Sequence, residues 1–132
     1  MSPCIPALRA AHLVRGAIGE ARASKALRRH GLRIIACNVR YRCGEIDIVA
    51  QDGATWVFVE VRRRRRWADA VASIDAEKRG KIRRAAQRYL IARFGDDWPP
   101  CRFDVILLGD DRVQWMRGAF GADEEIRWNK DS

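Results

Sequence analysis

Histidine and cysteine are scarce in this chain of 132 residues, which contains two histidines and four cysteines. Because only His12 and His30 are available, the sequence disfavours catalysis that depends on histidine. The cysteines are Cys4, Cys37, Cys43 and Cys101. Their spacings match no zinc ribbon or Cys-x-x-Cys motif, so we expect free thiols in a reducing cytoplasm.

Long apolar runs and phosphate-binding loops are absent from the sequence as well. No run approaches the ~18 apolar residues that a membrane-spanning helix needs, and the first residues lack the charged start of a signal peptide. The sequence shows no glycine-rich phosphate loop, no serine–histidine–acid arrangement and no internal repeat. We therefore expect a cytoplasmic protein with no membrane partner.

Acidic residues are outnumbered, with 17 Asp and Glu against 26 Lys and Arg, for a net charge of +9. The excess is concentrated, because residues 61–93 carry 12 basic and 3 acidic residues, whereas residues 94–132 carry 5 and 9. A concentrated basic region is typical of proteins that bind a phosphate backbone. A basic surface also promotes solubility, but the distribution favours a nucleic-acid partner.

The stretch Gly44–Arg66, GEIDIVAQDGATWVFVEVRRRRR, predicts a β-hairpin at the centre of the fold. Apolar and charged residues alternate in Glu45–Ala50 and in Trp56–Arg62, as they do in strands with one buried face. Between these runs lies the pair Asp52–Gly53, which is a strong signal for a tight turn. The two runs are therefore predicted to be adjacent antiparallel strands.

Three carboxylates of this hairpin, Glu45, Asp47 and Glu60, are predicted to share one side of the sheet. If the turn centres on Asp52–Gly53, Asp47 lies opposite Phe58 and Glu45 lies opposite Glu60. Two carboxylates ~4 Å apart repel each other by roughly 4 kcal/mol at an effective dielectric constant near 20. A raised pKa, an arginine from the following run or a divalent cation would each relieve this repulsion.

The hairpin sequence has an acidic residue in GEIDIVA, then a turn, and then Glu-x-Arg in FVEVR. This order resembles the D-(x)n-E-x-K core of restriction-endonuclease-like nucleases, with arginine where lysine usually stands. The chain resembles more closely the small bacterial YraN-type family, which is similar to Holliday junction resolvases. This resemblance rests on five blocks in order: RGAIGEARA, GEIDIVA, FVEVR, IDAEKRGKIRRAAQRYL and CRFDVILL. The resemblance covers roughly residues 15–120. It implies an α/β, restriction-endonuclease-like fold, in which helices flank a central mixed sheet of about five strands.

The resemblance also implies a metal-dependent endonuclease that acts on DNA rather than RNA, with branched or junction DNA as a candidate substrate. Asp47 and Glu60 would hold Mg²⁺ or Mn²⁺ with the backbone carbonyl of Val61, and Glu20 would complete or water-bridge the ligand set. A lone glutamate on a helix is otherwise usually solvated. Arg62 joins Asp47 and Glu60 in the implied catalytic set, but an arginine with a pKa above ~12 cannot act as a general base.

The remaining pattern predicts one domain at residues 14–120, between a loose N-terminal arm at 1–13 and an acidic C-terminal tail at 121–132. The arginine run is predicted to leave the sheet as a solvated loop through Trp67 and Asp69. The other predicted elements are a helix from Val14 that Gly31 closes, a strand in Leu32–Tyr41, a helix from Ser73 or Asp75 to near Gly95, a strand at Phe103–Leu108 and a short strand at Val113–Met116.

Basic residues surround the predicted carboxylate cluster in the sequence. The arginine run can clamp phosphates, because guanidinium forks match phosphate geometry, and most basic residues of the second helix lie off its apolar stripe. Solvation alone would also account for many of them. The predicted nucleic-acid-binding residues are Arg63, Arg64, Arg65, Arg66, Arg79, Arg83, Arg84, Gln87 and Arg88.

Three functional classes stay open at this point. The first is a metal-dependent, structure-selective nuclease, which the family resemblance favours. The second is a nucleic-acid-binding protein that keeps the nuclease scaffold without turnover, which Arg62 favours. The third is a basic partner of RNA-rich assemblies, which only size and charge favour. A homodimer would suit a junction substrate, although no apolar stripe in the sequence indicates one.

Overall fold

The computed structural model describes residues 11–121, which form a five-stranded sheet and three helices. In chain order the elements are α1 (Ala11–Arg29), β1 (Arg33–Tyr41), β2 (Gly44–Asp52), β3 (Thr55–Arg63), α2 (Trp67–Ser73), α3 (Ala76–Phe94), β4 (Cys101–Leu108) and β5 (Val113–Phe120). Nearly all of the predicted N-terminal arm and acidic tail lies outside the described residues, so these two predictions are not tested.

The strands lie in the order β1-β2-β3-β4-β5. Neighbouring strands are antiparallel except β3 and β4, which run parallel and are connected through α2 and α3. A parallel pair needs such a crossover connection, whose helices cover one face of the sheet. The predicted mixed sheet of five strands flanked by helices is therefore confirmed.

Each face of the sheet packs against helices. On one face, which we call the α3 face, Phe58 and Val105 are buried against Ile82 and other residues of α2 and α3. On the opposite face, the α1 face, strand residues such as Val59 pack against Leu27 of α1. Burying side chains of this kind contributes about 1.5–3 kcal/mol each, so the two helical layers fix the central strands from both sides.

The hairpin forms where it was predicted, but its register differs from the prediction by two residues. Gln51 pairs with Trp56 and Val49 with Phe58, so the turn residues are Gly53 and Ala54. Gly53 has a φ of 61° and Ala54 does not share this positive φ, which is the pattern of a type II′ turn with glycine in its first central position. A shift of two residues keeps every side chain on its face, but it moves Asp47 away from Phe58.

Two helix predictions need correction. A helix rather than a solvated loop contains Trp67 and Asp69, because α2 begins at Trp67 and buries Ala70 in the core on the α3 face. Seven residues are too few to display a clear helical period in the sequence. Helix α1 begins at Ala11, three residues before the predicted Val14, whereas α3 begins as predicted after Asp75, whose carboxylate accepts the Lys78 N–H at 2.9 Å.

The last strand is longer than predicted and is tied to a buried aspartate. Strand β5 runs to Phe120 instead of Met116, because its last two residues are buried. Asp104, which has no exposed surface, accepts hydrogen bonds from Arg102 Nε at 3.1 Å, Trp115 Nε1 at 2.9 Å and Gly118 N at 2.9 Å. Its carboxylate therefore stabilises the β4–β5 pair.

The cysteine prediction is only partly right. Cys43 and Cys101 are free thiols, whereas Cys37 is disulfide-bonded. Spacing alone could not reveal this bond, because pairing depends on the distance between Cβ atoms in the folded chain. No helix within residues 11–121 has the length and apolar character needed to cross a membrane.

Candidate carboxylate site

Asp47 and Glu60 meet where β2 and β3 diverge. The paired part of the two strands ends at Ile48 and Val59. One residue further on, Asp47 Oδ2 accepts a hydrogen bond from the backbone N–H of Val61 at 2.8 Å. The side chain of Asp47 therefore occupies the position of a strand partner, and the register brings it level with Glu60, which is only 3% exposed.

A local rotation of the chain aims Asp47 into this gap. Ile46 packs in the core of the α3 face and Ile48 in the core of the α1 face, although residues two apart in a regular strand share a face. The neighbouring strand is irregular at the same level, because Asn38 has a φ of 54°. Asparagine tolerates this left-handed conformation better than most residues, so both strands bend beside Asp47.

Burial and, to a smaller extent, the charge of Asp47 raise the pKa of Glu60 to about 8, while Arg62 and Lys78 act in the opposite direction. Burial also raises the pKa of Asp47, which is opposed by the hydrogen bonds from Val61 N–H and from the Glu60 carboxyl. At neutral pH the Glu60 carboxyl therefore holds its proton and can donate a hydrogen bond to Asp47. The two carboxyl groups titrate as a pair.

Two cationic side chains approach the same oxygen of Glu60. Arg62 Nη2 lies 2.9 Å from Glu60 Oε2, and Lys78 Nζ lies 3.8 Å from it. Lys78 reaches the site from the first turn of α3, where Asp75 fixes the backbone N–H of Lys78. Lys78 was not among the predicted site residues, because its position depends on how α3 crosses β3. The one available signal was its place three residues after the capping Asp75, inside the block IDAEKRGKIRRAAQRYL.

Glu20 lies beside this pair without joining it. Its Oε1 accepts a hydrogen bond from Asn38 Nδ2 at 2.9 Å. Burial raises the pKa of Glu20, the bond from Asn38 opposes this rise, and the charges of Asp47 and Glu45 add to it. Glu20 is therefore close enough to feel the negative charge of Asp47, but its carboxylate is directed to β1. Glu45 is exposed and acts on both groups through its charge.

The arrangement can be compared with what a divalent cation needs. Within residues 11–121, no group of three or more Asp, Glu, His or Cys side chains is placed to hold a metal ion. Mg²⁺, however, is commonly bound by one or two carboxylates together with water and substrate phosphates. Asp47 and Glu60 would supply the hard oxygen donors of such a site once Glu60 loses its proton. The donor set therefore fits Mg²⁺ or Mn²⁺ with the substrate completing it.

The predicted arginines divide into two groups. Arg79 and Arg83 are half-buried, and their Nη1 atoms donate to backbone carbonyls of Ile74 at 3.2 Å and Gly121 at 3.4 Å. These two residues hold α3 against its surroundings. The exposed members on α3 are Arg84, Gln87 and Arg88, and the guanidinium of Arg88 lies 5.7 Å from the ring centre of Tyr41.

The arginine run continues from the carboxylate site into α2. Arg63 closes β3, and Arg64, Arg65 and Arg66 follow it as exposed residues before α2 begins. The backbone N–H of Arg64 donates to the carbonyl of Leu108 at 3.3 Å, so the start of the run is attached to β4. Four basic side chains are thereby presented close to the end of the strand that carries Glu60.

Helices cover both faces of a mixed five-stranded sheet, and an Asp and a Glu-x-Arg lie at the diverging ends of two central strands. The fold is therefore α/β, with a restriction-endonuclease-like arrangement. The family model described as "Uncharacterised protein family UPF0102" matches residues 19–108. The chain therefore belongs to the UPF0102 family, which confirms the resemblance to YraN-type proteins. The matched residues include both carboxylates, Arg62 and Lys78.

Several bacterial relatives match this chain over most of their length. A UPF0102 protein of Dechloromonas aromatica (strain RCB) is 46% identical over 112 residues, which are 83% of this chain and 91% of the relative. One from Symbiobacterium thermophilum is 50% identical over 114 residues, or 81% and 96% of the two chains. One from Xanthomonas campestris pv. campestris (strain B100) is 44% identical over 119 residues, or 87% and 98%.

Proposed function

We propose that this protein binds DNA in preference to RNA and hydrolyses a phosphodiester bond with a divalent cation, Mg²⁺ or Mn²⁺, held by Asp47 and Glu60. The observation that carries the proposal is the meeting of Asp47 and the buried Glu60 at the gap between β2 and β3, with Arg62 and Lys78 beside Glu60 Oε2. Apolar residues of similar size often stabilise a protein as well as buried ionisable groups or better. Clustered carboxyls with raised pKa values are typical of functional sites, and a cation can take the place of the proton.

Each residue at the carboxylate site would have a separate role in the proposed reaction. When bound, the divalent cation would polarise the scissile phosphate and lower the pKa of an attacking water. Asp47 and Glu60 would hold the cation together with the carbonyl of Val61, and Glu20 would hold a water of the ligand set. Arg62 and Lys78 offer N–H donors to phosphate oxygens, since both already face Glu60 Oε2.

The charge around the site supports a nucleic-acid substrate. The exposed Arg84 and Arg88 lie on the helix that brings Lys78 to Glu60, and the arginine run leaves the strand that carries Glu60. Phosphate contacts by such residues release counterions and make binding sensitive to salt. Branched DNA is the favoured substrate within the proposal, and a homodimer with twofold symmetry would match a junction.

A second function, nucleic-acid binding without hydrolysis, is favoured by the ion pair between Arg62 and Glu60. The guanidinium of Arg62 already lies 2.9 Å from Glu60 Oε2, and arginine cannot accept a proton from water at ordinary pH. In either case the proposed location is the cytoplasm, because the relatives are bacterial and bacterial DNA lies there.

The proposal is tested by incubating labelled four-way junctions and linear duplexes with the protein and Mn²⁺ or Mg²⁺, reading binding and strand scission in the same samples. The test variant is Asp47→Asn, and the matched control is Asp52→Asn at the other end of β2. Metal-dependent scission that only Asp47→Asn abolishes supports the nuclease. Binding without scission under both metals selects the second function. Absence of both binding and scission overturns the proposal.

A further inference from the structure

A pocket of about 370 Å³ lies between the arginine run and the turn that connects β4 to β5. Its volume falls in the range of ~300–1,000 Å³ that is typical of small-ligand sites. Among the described residues, its walls include Arg64, Arg65, Arg66 and Arg112, the indole of Trp67, and two aspartates of the turn. We propose that this pocket, the arginine pocket, binds one unpaired nucleotide, with its phosphate on the arginines and its base on Trp67.

The residues that line the arginine pocket match both the phosphate and the base of a nucleotide. Guanidinium groups bind phosphate oxygens in a bidentate manner, and here they outnumber the carboxylates of Asp110 and Asp111 two to one. Trp67 is 39% exposed although its ring is large and apolar. An indole beside basic groups is a platform on which a base of any sequence can stack. A free inorganic anion would use the arginines but not the ring.

The walls of the pocket are held in place by contacts within the protein. Arg22 of α1 donates from Nη1 to the carbonyl of Gly109 at 2.9 Å and from Nη2 to the carbonyl of Arg112 at 3.4 Å. The Arg64 N–H bond to Leu108 attaches the opposite wall to β4. The buried Ala70 anchors the helix that carries Trp67. The backbone of the pocket walls is therefore fixed before any ligand binds, which lowers the entropic cost of binding.

The arginine pocket lies on the same side of the sheet as the carboxylate pair. Leu107, which lines the pocket, belongs to the core of the α3 face and is the β4 partner of Arg62. Arg64 lies four positions after Glu60 in the sequence, which corresponds to roughly 13 Å along a strand at ~3.3 Å per residue. A DNA strand with a rise of ~3.4 Å per nucleotide covers that distance in a few nucleotides. One strand can thus reach both sites.

This placement indicates which feature of the substrate the pocket would recognise. A base inside a duplex is stacked and paired and cannot also lie on Trp67, so the nucleotide has to be unpaired. Branch points and single-stranded flaps supply such nucleotides a few steps from duplex DNA. The inference rests on the proposed binding of nucleic acid, and it does not require hydrolysis.

The test measures binding of a fluorescent single-stranded dT octamer to the full chain in EDTA. The variants are Trp67→Ala and Trp67→Phe, and the control is Trp98→Ala, which removes another exposed indole, 41% exposed, from the loop after α3. A blunt duplex serves as the second ligand. Thermal melting of each variant shows whether it is folded. If Trp67→Ala is unstable, Trp67→Phe tests the position with an aromatic ring retained.

We expect Trp67→Ala to weaken binding of the octamer roughly 5- to 100-fold, the range measured for loss of one stacking platform. Trp67→Phe should lose much less, and Trp98→Ala and duplex binding should stay at the wild-type level. Equal octamer affinity in wild type and Trp67→Ala overturns the inference, and so does an equal loss in Trp98→Ala. If Trp67→Ala binds normally and junctions are still cut with Mn²⁺, the inference fails while the proposed function stands.

Discussion

Asp47 lies level with Glu60 across the diverging ends of β2 and β3, and its Oδ2 accepts the backbone N–H of Val61, the residue after Glu60, at 2.8 Å. Because the pKa of Glu60 is raised to about 8, the Glu60 carboxyl holds a proton at neutral pH. This relationship connects the fold to the proposed chemistry. The strands separate beyond Ile48 and Val59, and the side chain of Asp47 enters the gap between them. Coupled groups of this kind titrate as a pair, and a divalent cation can replace the proton that neutralises them.

The first prediction concerns pH and stability. Because burial raises the pKa of Glu60 from 4.5 to about 8, the native state binds more protons than the unfolded state between these values. Stability should therefore fall as pH rises through this window, by up to about 1.4 kcal/mol per pH unit for one proton. Urea unfolding at pH 5 to 8.5 measures the slope. Glu60→Gln, which mimics the protonated acid, should flatten it, and parallel curves for both proteins would contradict the assignment.

The second prediction concerns the exchange of a proton for a metal ion. Since Glu60, with its pKa raised to about 8, holds a proton at neutral pH, Mn²⁺ binding should release close to one proton per ion and should tighten as pH rises towards 8. Calorimetry in buffers of different ionisation enthalpy measures this release. Asp47→Asn should bind Mn²⁺ at least tenfold more weakly, while Asp52→Asn serves as the control. Binding without proton release would show that the ion sits elsewhere.

The third prediction concerns Lys78. If its ammonium group stabilises charge on the reacting phosphate, Lys78→Met should lower the rate of scission by about 10²-fold, as the loss of a single transition-state donor does. Stability should change by less than about 1 kcal/mol, because Lys78 is partly exposed and its ion pair with Glu60 is long at 3.8 Å. Lys81→Met, three residues further on the same helix and exposed, is the matched control. Equal rates in both variants would assign Lys78 a structural role.

The fourth prediction concerns the exposed arginines of α3. Each of Arg84→Ala and Arg88→Ala should weaken DNA binding for every sequence alike and reduce the salt slope, the dependence of log K on log salt concentration, by roughly 0.9. Fluorescence anisotropy between 50 and 200 mM salt gives this slope. Arg28→Ala, an exposed change near the end of α1, is the control. An unchanged slope in the α3 variants would place the phosphate contacts on another surface.

The sequence predicted well what depends on local pattern. A period of two is a local property, so the alternation of apolar and charged residues could predict that Glu60 lies on the face of Phe58. It could not predict the rotation between Ile46 and Ile48 that aims Asp47 at Glu60. The repulsion expected among Glu45, Asp47 and Glu60 predicted a compensating change. Two of the three expected remedies are found at Glu60, since its pKa is raised, chiefly by burial, and Arg62 lies beside it. The third remedy, a divalent cation, stays a proposal.

What the sequence could not predict depends on tertiary contacts. The hairpin register follows from the positive φ of Gly53 in a type II′ turn, which an Asp-Gly pair does not specify. The position of Lys78 follows from the close approach of α3 to β2, where Gly44 has no room for a Cβ atom against the carbonyl of Lys81. Glu20 bonds to Asn38, whose left-handed conformation has no signal in the strand pattern.

The most direct test of the central claim is anomalous diffraction from crystals of the protein grown with Mn²⁺ and a DNA junction whose bridging phosphates resist hydrolysis. We expect an anomalous peak in contact with the carboxylates of both Asp47 and Glu60 and with a phosphate oxygen of the DNA. We also expect Arg62 to have moved away from Glu60. DNA bound near the site with no peak there, and with the Arg62–Glu60 ion pair intact, would contradict it.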